Sequence, residues 1–217
     1  MSERSPKSRV RVASPGIGRA TTAFIAANSR WVLILAALVL YSCEPTLQRR
    51  VLEYERQVNA GNVDRVLALF ADDATVRAQG MHSLAGKDAL RGMAEWDSVV
   101  HTRLTFYDMV TEGDTVLANV VESNDWLAAL GIEEVYHPTT LVVFQSGLIT
   151  RIESETDSGD ARAMHQSLDA VLQWALQERP HVVRTLVSDA GFRYNSESAG
   201  RWLHLLREWR DAVGKGF

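Results

Sequence analysis

One stretch, Tyr54 to Ala78 (YERQVNAGNVDRVLALFADDATVRA), constrains the fold more than any other part of this chain. Its first part continues an apolar stripe that recurs at helical spacing and comprises Leu47, Val51, Tyr54 and Val58. Gly61 interrupts the stripe at the place where a residue just past a helix end is expected. Asn62 follows at once and can cap another helix. The sequence therefore predicts one helix, a tight break and a second helix.

The second half of this stretch predicts a short helix followed by a strand. Apolar residues at helical spacing run from Val63 to Phe70. The acidic pair Asp72 and Asp73 is expected to end this helix, and residues 75–77 are expected to begin the first strand.

The runs A-G-N-V-D and F-A-D-D-A-T-V resemble the opening of the NTF2-like superfamily, which includes ketosteroid isomerases and SnoaL-like polyketide cyclases. The resemblance implies a cone-shaped α+β fold in which helices pack on a curved antiparallel sheet. Because this fold carries many unrelated activities, function has to be argued from the residues of its pocket.

The rest of the chain supports the same α+β class. A third helix is predicted over 86–96, and two hairpins over 100–122 and 136–156 around glycine-containing turns. Residues 123–132 are expected to form a loop with a helical turn. After residue 157 two amphipathic helices follow, the first ended by Pro180 and the second beginning near Ser198. Helices followed by a run of strands indicate α+β.

Three regions follow: a leader (1–43), a SnoaL-like domain (44–157) and a C-terminal helical extension (158–217). The apolar stripes of the extension have to be buried. They are expected to pack on the sheet of the same chain or on a second subunit, so a homodimer remains an alternative.

The leader has the layout of a secretory signal. Arg30 precedes an apolar run, Trp31 to Tyr41, that is too short to span a bilayer by itself. The sequence L-Y-S-C, ending at Cys43, resembles a bacterial lipoprotein processing box. That resemblance implies lipidation of Cys43. The alternative is an uncleaved anchor that also includes residues 23–28, and both place the domain at a membrane outside the cytoplasm.

Charge argues against a nucleic-acid partner. Six of the 23 Lys and Arg residues and one of the 27 Asp and Glu residues precede residue 44. The remainder therefore carries 17 basic and 26 acidic residues, a net charge of −9, with no basic stripe apparent. The six histidines lack the paired spacing of a metal site, and no phosphate-binding glycine loop occurs, so neither a metal nor a cofactor is expected.

The resemblance to ketosteroid isomerases gives a test of the pocket. Isomerase chemistry uses a carboxylate base together with an oxyanion site made by a tyrosine and a protonated aspartic acid. In the shared frame Tyr54 falls on the donor tyrosine, Ala78 on the base, and Thr140 on the protonated acid. Since alanine cannot accept a proton, isomerase chemistry by that mechanism is not expected.

Strand periodicity predicts which other side chains face the pocket. With Thr140 facing inward, Tyr136 and Val142 should do so as well. The predicted ligand pocket thus comprises Tyr54, Ala78, Trp96, Tyr136, Thr140, Val142, Ile152, Ser154 and Thr156. Glu122 and Trp126 are expected near the loop beside this pocket. The candidate catalytic residues are Tyr54, Asp125 and His137.

Three functions are consistent with the sequence. The first is a non-catalytic pocket for a small apolar molecule, which the absence of the isomerase base favours over an enzyme, as it also favours the third function below. The second is an acid–base enzyme of the polyketide cyclase, isomerase or epoxide hydrolase kind, although the resemblance to limonene epoxide hydrolases implies an Asp-Arg-Asp set that the inward positions do not supply. The third is a protein-interaction module that uses the sheet face or the C-terminal helices.

Overall fold

A computed structural model describes residues 46–78, 83–188 and 191–214. Residues 45–217 form one compact unit. The helices are α1 (Leu47–Asn59), α2 (Val63–Leu67), α3 (Gly86–Val99), α4 (Asp125–Ala129), α5 (Ser158–Glu178), α6 (Pro180–Leu186) and α7 (Ser196–Gly214). The strands are β1 (Phe70–Ala78), β2 (Leu84–Ala85), β3 (Arg103–Glu112), β4 (Thr115–Ser123), β5 (Val135–Gln145), β6 (Leu148–Glu155), β7 (Val187–Ser188) and β8 (Gly191–Phe192).

The leader and Cys43 lie outside the described residues, so the lipidation and anchor expectations stay predictions. Within residues 46–78, 83–188 and 191–214, no helix is both long and apolar enough to cross a bilayer.

The break between the first two helices forms as the sequence predicts. Gly61 adopts a φ of 66°, and its N–H donates to the carbonyl of Val58 while the N–H of Asn62 donates to that of Gln57. Only glycine takes up this left-handed conformation without steric cost. Asn62 occupies the N-cap position of α2, but its side chain bonds to Gln57 instead of capping the helix.

The second helix ends earlier than predicted. It stops at Leu67, and the strand begins at Phe70, where Phe70 pairs with Ile149 of β6. The register shifts between Phe70 and Thr75, so the strand bulges there and Asp72 and Asp73 lie exposed within it. Burial of Phe70 against β6 decides this boundary, because tertiary pairing outweighs local helical preference.

The curved six-stranded sheet has the order β2-β1-β6-β5-β4-β3. Neighbouring strands are antiparallel except for β1 and β6, which are parallel because the chain crosses the sheet between them. Register shifts interrupt four of these pairings, and such bulges bend and twist a sheet locally. The α+β class with helices on a curved sheet is confirmed, with one parallel pair in place of a wholly antiparallel sheet.

The helices α1 and α3 cover the concave face of this sheet. Val51, Tyr54 and Val58 of α1 are buried there, as are Leu90 and Met93 of α3. They form one apolar core with the inward residues of the strands.

The C-terminal helices bury most of their apolar stripes within this chain, although Leu176 and Val213 stay exposed. A second apolar cluster joins Trp202, Leu205 and Leu206 of α7 to Trp96 of α3 and Trp126 of α4. The extension therefore packs mainly on α3 and α4 rather than on the broad face of the sheet. Pro180 ends α5, as predicted, and also begins α6, a helix that the sequence pattern did not reveal.

Candidate functional site

A cavity of about 580 Å³ lies between the concave sheet, α3 and the C-terminal extension. Most of its lining is apolar or aromatic, including Val76, Met93, Phe106, Leu127 and Leu168. Residues of α5 contribute to the wall together with Val187, Gly191, Phe192 and Tyr194, so the extension helps to enclose the site. Ligand pockets in proteins commonly span 300–1,000 Å³, which this cavity matches.

The structure brings together most residues of the predicted pocket. Those that line the cavity are Tyr54, Ala78, Trp96, Thr140, Ile152, Ser154 and Thr156. His137, a candidate catalytic residue, also lines it, as do Glu122 and Trp126. Tyr136, Val142 and Asp125 do not.

The sequence predicts that Tyr136 faces the cavity, but this is wrong because β5 contains a bulge. Ala118 of β4 pairs with Thr140 and Val120 pairs with His137, so β5 contains one extra residue between these pairs. The extra residue inverts the inward and outward alternation, which turns His137 inward and Tyr136 outward, where its ring stacks on Tyr107 at 6.4 Å.

The sequence also predicts that Val142 lines the pocket and that Asp125 lies beside it as a catalytic candidate. Neither residue lines the cavity. Val142 has the inward orientation but lies fully buried in the core cluster, where side chains fill the space. Asp125 begins α4 and its exposed carboxylate lies 2.7 Å from His101 Nδ1. That carboxylate points away from the cavity because α4 turns only Trp126 and Leu127 toward it.

Asp97 is an acidic residue of the cavity wall that sequence reasoning missed. It lies in the last turn of α3, lines the cavity, and accepts a hydrogen bond of 2.9 Å from the Thr102 hydroxyl. Removal from bulk water, followed by the nearby charge of Glu122, raises the pKa of Asp97 to about 7, although the bond from Thr102 acts in the opposite direction. The sequence signal that could have identified Asp97 is its position four residues after Met93, which places it on the inner face of the same helix. The predicted helix stopped at Trp96, one residue before Asp97 and three residues before the observed end at Val99.

Glu122 and His137 form a second polar group in the cavity. His137 Nε2 lies 3.4 Å from Glu122 Oε2, though without hydrogen-bond geometry, and His137 Nδ1 lies 3.3 Å from the Thr156 hydroxyl. The Asn124 amide donates to Glu122 Oε1 at 2.9 Å. Two carboxyl groups thus share an enclosure whose walls are otherwise largely apolar.

Two tyrosines complete the polar set. Burial, then the charges of Asp97 and Glu122, raise the pKa of Tyr54. Burial, then the same charges, raise the pKa of Tyr194. Both phenols therefore keep their protons at neutral pH and act as donors. The Tyr54 ring is held edge-on between Phe70 and Phe106, and its hydroxyl has no hydrogen-bond partner among the described residues.

Comparison with protein families agrees with this geometry. The family model of the SnoaL-like domain matches residues 51–152. These residues form a SnoaL-like domain. The match includes the strands and helices that build most of the cavity, and it ends before α5. The extension that closes part of the SnoaL-like cavity therefore lies outside the matched region.

Solved structures with a similar fold cover about half of this chain. One is SalBIII, an epoxide hydrolase/cyclase-like enzyme of pyran ring formation in salinomycin, at 19% identity, with 53% of this chain and 95% of that chain covered and a TM-score of 0.46. Another is an LEH-like epoxide hydrolase of M. tuberculosis, at 16% identity, 57% and 92% coverage and a TM-score of 0.46. A third is an NTF2-like protein of unknown function from Cytophaga hutchinsonii, at 15% identity, 55% and 96% coverage and a TM-score of 0.46. No curated protein matches the sequence.

Proposed function

We propose that this SnoaL-like protein is an acid–base enzyme that binds a small, largely apolar molecule in its cavity and moves a proton on it. The observation that carries this proposal is Asp97, a carboxyl group inside an apolar enclosure whose pKa is raised to about 7. A group with this pKa exchanges protons efficiently near neutral pH, which is the requirement for a general acid or base.

Each polar group has a role in such a reaction. The Asp97 carboxylate removes a proton from a carbon atom next to a carbonyl or similar group. The electron pair of that C–H bond moves onto the ligand oxygen, and the Tyr54 hydroxyl donates a hydrogen bond to the developing negative charge. Protonated Asp97 then returns the proton to another atom of the ligand. Burial raises the pKa of Asp97 most, and the negative charge of Glu122 raises it further.

The lining favours a neutral substrate. The described residues around the cavity include two carboxyl groups and neither lysine nor arginine. An anionic ligand would therefore meet repulsion without a compensating cation. The many aromatic and aliphatic walls favour a compact ring system that carries one or two oxygen atoms.

The test uses a generic proton-transfer probe, 5-nitrobenzisoxazole, because the natural ligand is unidentified. Removal of its ring proton breaks the N–O bond and releases a coloured phenolate. We expect kcat/KM to rise with pH through an apparent pKa near 7, the value for Asp97. Asp97→Asn should lower kcat/KM by about 100-fold or more, and Tyr54→Phe by about 10-fold.

Asp125→Asn is the matched control, because Asp125 is an exposed carboxylate outside the cavity. It should leave kcat/KM and its pH profile unchanged. Equal rates for the Asp97→Asn variant and the unsubstituted protein would contradict the proposed role of Asp97 and leave binding without catalysis as the better account.

We also propose that the leader holds the domain at a membrane outside the cytoplasm, with Cys43 as the lipidated residue. The sequence layout described above supports this, and mass spectrometry of the mature N-terminus tests it. A mature chain that begins at a diacylated Cys43 is expected. An intact leader with an unmodified Cys43 would contradict lipidation and favour the uncleaved anchor.

A further inference from the structure

A second concave surface lies on the opposite side of α1 from the cavity. Its lining includes Arg49, Arg50 and Arg56 of α1 and Arg65 of α2, and we call it the arginine groove. The groove has a volume of about 530 Å³. The sequence showed no basic stripe because Arg65 joins the other three only when α2 folds back beside α1.

The charge of the arginine groove is largely unbalanced. Arg56 is 2.8 Å from Glu53, the one acidic residue among those lining the groove. Arg49, Arg50 and Arg65 make no ion pair with any described residue. Three unpaired cations in one concave surface are unexpected where the chain from residue 44 onward carries a net charge of −9.

The position of two of these arginines opposes helix stability. Arg49 and Arg50 lie in or next to the first turn of α1, which contains no acidic residue. The first turn of a helix carries partial positive charge and free N–H groups, so basic side chains are unfavourable there. The same arrangement attracts anions, because the guanidinium groups and the positive end of the helix dipole both favour a negative charge there.

The groove is also close in sequence to the leader. Only three residues separate Cys43 from Leu47, the first residue of α1, and an extended chain covers at most about 3.6 Å per residue. A membrane attachment at Cys43 would keep Leu47, at the start of α1 and next to Arg49 and Arg50, within roughly 15 Å of the lipid surface. Leu52, which is 39% exposed, adds an apolar side chain to the groove.

We propose that the arginine groove binds the phosphate groups of anionic phospholipids and thereby orients the domain on the membrane surface. The guanidinium groups form paired hydrogen bonds with phosphate oxygens, and Leu52 contacts the glycerol region. The proposal rests on the membrane attachment proposed above, but it is independent of the chemistry in the cavity. Each basic residue near an anionic surface strengthens such binding, and salt weakens it.

The test uses the full-length chain reconstituted into nanodiscs of phosphatidylcholine alone or of phosphatidylcholine with an equal part of phosphatidylglycerol. Phenylglyoxal modifies accessible arginines, and peptide mass spectrometry gives the rate at each position. We expect modification of Arg49, Arg50 and Arg65 to slow by about threefold or more in the phosphatidylglycerol discs, and about 0.5 M NaCl to reverse this. Arg103, Arg162 and Arg210 are exposed elsewhere, so they serve as internal controls whose rates should not change.

A variant set separates lipid binding from other causes. The triple substitution Arg49→Gln, Arg50→Gln and Arg65→Gln should abolish the lipid dependence of phenylglyoxal modification at Arg56, whereas Gln at the three control positions should preserve it. Near-ultraviolet circular dichroism checks that both variants fold alike.

Three outcomes would overturn the proposal. The first is equal modification in both kinds of disc. The second is protection in phosphatidylcholine discs by inorganic phosphate alone, which would indicate a site for a soluble anion. The third is failure of the chain to associate with either disc. The third outcome would refute the attachment as well, whereas the first would leave the attachment standing.

Discussion

At the level of single residues, the proposed chemistry depends on where each carboxyl group lies. Asp97 lies at the end of α3 and Asp125 at the start of α4. The carboxyl group of Asp97 faces an apolar cavity, whereas that of Asp125 faces solvent. Burial changes the pKa of the first and makes it useful for proton transfer at neutral pH. Ala78, where the resemblance to isomerases implies a base, carries no acid, and in the proposed reaction Asp97 of α3 supplies one instead.

This placement predicts how stability depends on pH. The pKa of Asp97 is raised by folding from 3.8 to about 7, so the folded state holds the proton more tightly than the unfolded state. The free energy of unfolding should therefore fall between about pH 4 and pH 7. Asp97→Asn removes this loss. Each pKa unit is worth about 1.4 kcal/mol. We therefore expect the free energy of unfolding of Asp97→Asn, relative to that of the unsubstituted protein, to be roughly 2–4 kcal/mol higher at pH 8 than at pH 4.

Urea denaturation at pH 4, 6 and 8 measures the effect of Asp97→Asn. Asp125→Asn, measured in parallel, should change the free energy of unfolding by less than about 1 kcal/mol and should not show the same pH slope. A difference between Asp97→Asn and the unsubstituted protein that is constant with pH would contradict a raised pKa for Asp97.

At the scale of elements, α3 depends on a close approach to the extension. A β-carbon at Gly92 would meet the carbonyl oxygen of Tyr194 well inside van der Waals contact. Glycine in a helix interior is less favourable than alanine by about 1 kcal/mol. At Gly92 the close packing against Tyr194 outweighs this difference, because no β-carbon fits there. The contact holds the segment that carries Phe192 and Tyr194, both in the cavity wall.

The prediction is that Gly92→Ala destabilises the protein by about 1–3 kcal/mol in spite of its better helix propensity, because backbone has to move. Thermal unfolding followed by circular dichroism measures it. Gly200→Ala in α7 is the matched control, since nothing lies within 4 Å of a β-carbon there. It should stabilise by up to about 1 kcal/mol. Stabilisation by both substitutions would contradict the close approach.

At the scale of the whole molecule, the extension completes the cavity and joins the helices into one body. Trp202 is fully buried, with its ring 4.9 Å from that of Phe192 and 6.2 Å from that of Trp126. These rings connect α7 to the short β7–β8 ribbon and to α4. The site is therefore shared between the SnoaL-like domain and residues beyond it.

We expect Trp202→Ala to lower the free energy of unfolding by about 3–5 kcal/mol, because it leaves a large void in the second apolar cluster. The variant should also raise KM for 5-nitrobenzisoxazole, since the cavity wall at Phe192 loses its support. Trp209→Ala, at a partly buried position of the same helix, should cost less than about 2 kcal/mol and leave KM unchanged. Similar KM values for both variants would argue that α7 does not support the cavity wall.

Elements whose signals are local could be predicted from the amino-acid sequence. The stripe on α1, the glycine at Gly61 and the turns of both hairpins depend on nearest neighbours along the chain, so periodicity and backbone sterics were sufficient to predict them. The parity of β6 was correctly predicted too, because no bulge interrupts Ile152, Ser154 and Thr156.

Features that depend on distant partners became visible only once the chain was folded. The start of β1 depends on Ile149, the inversion at His137 on the pairing of β5 with β4, and the pKa of Asp97 on enclosure by three separate parts of the chain. The arginine groove likewise needs two helices to meet. Strand partners, bulge positions and electrostatic coupling are set by contacts between residues far apart in sequence, so local patterns could not locate them.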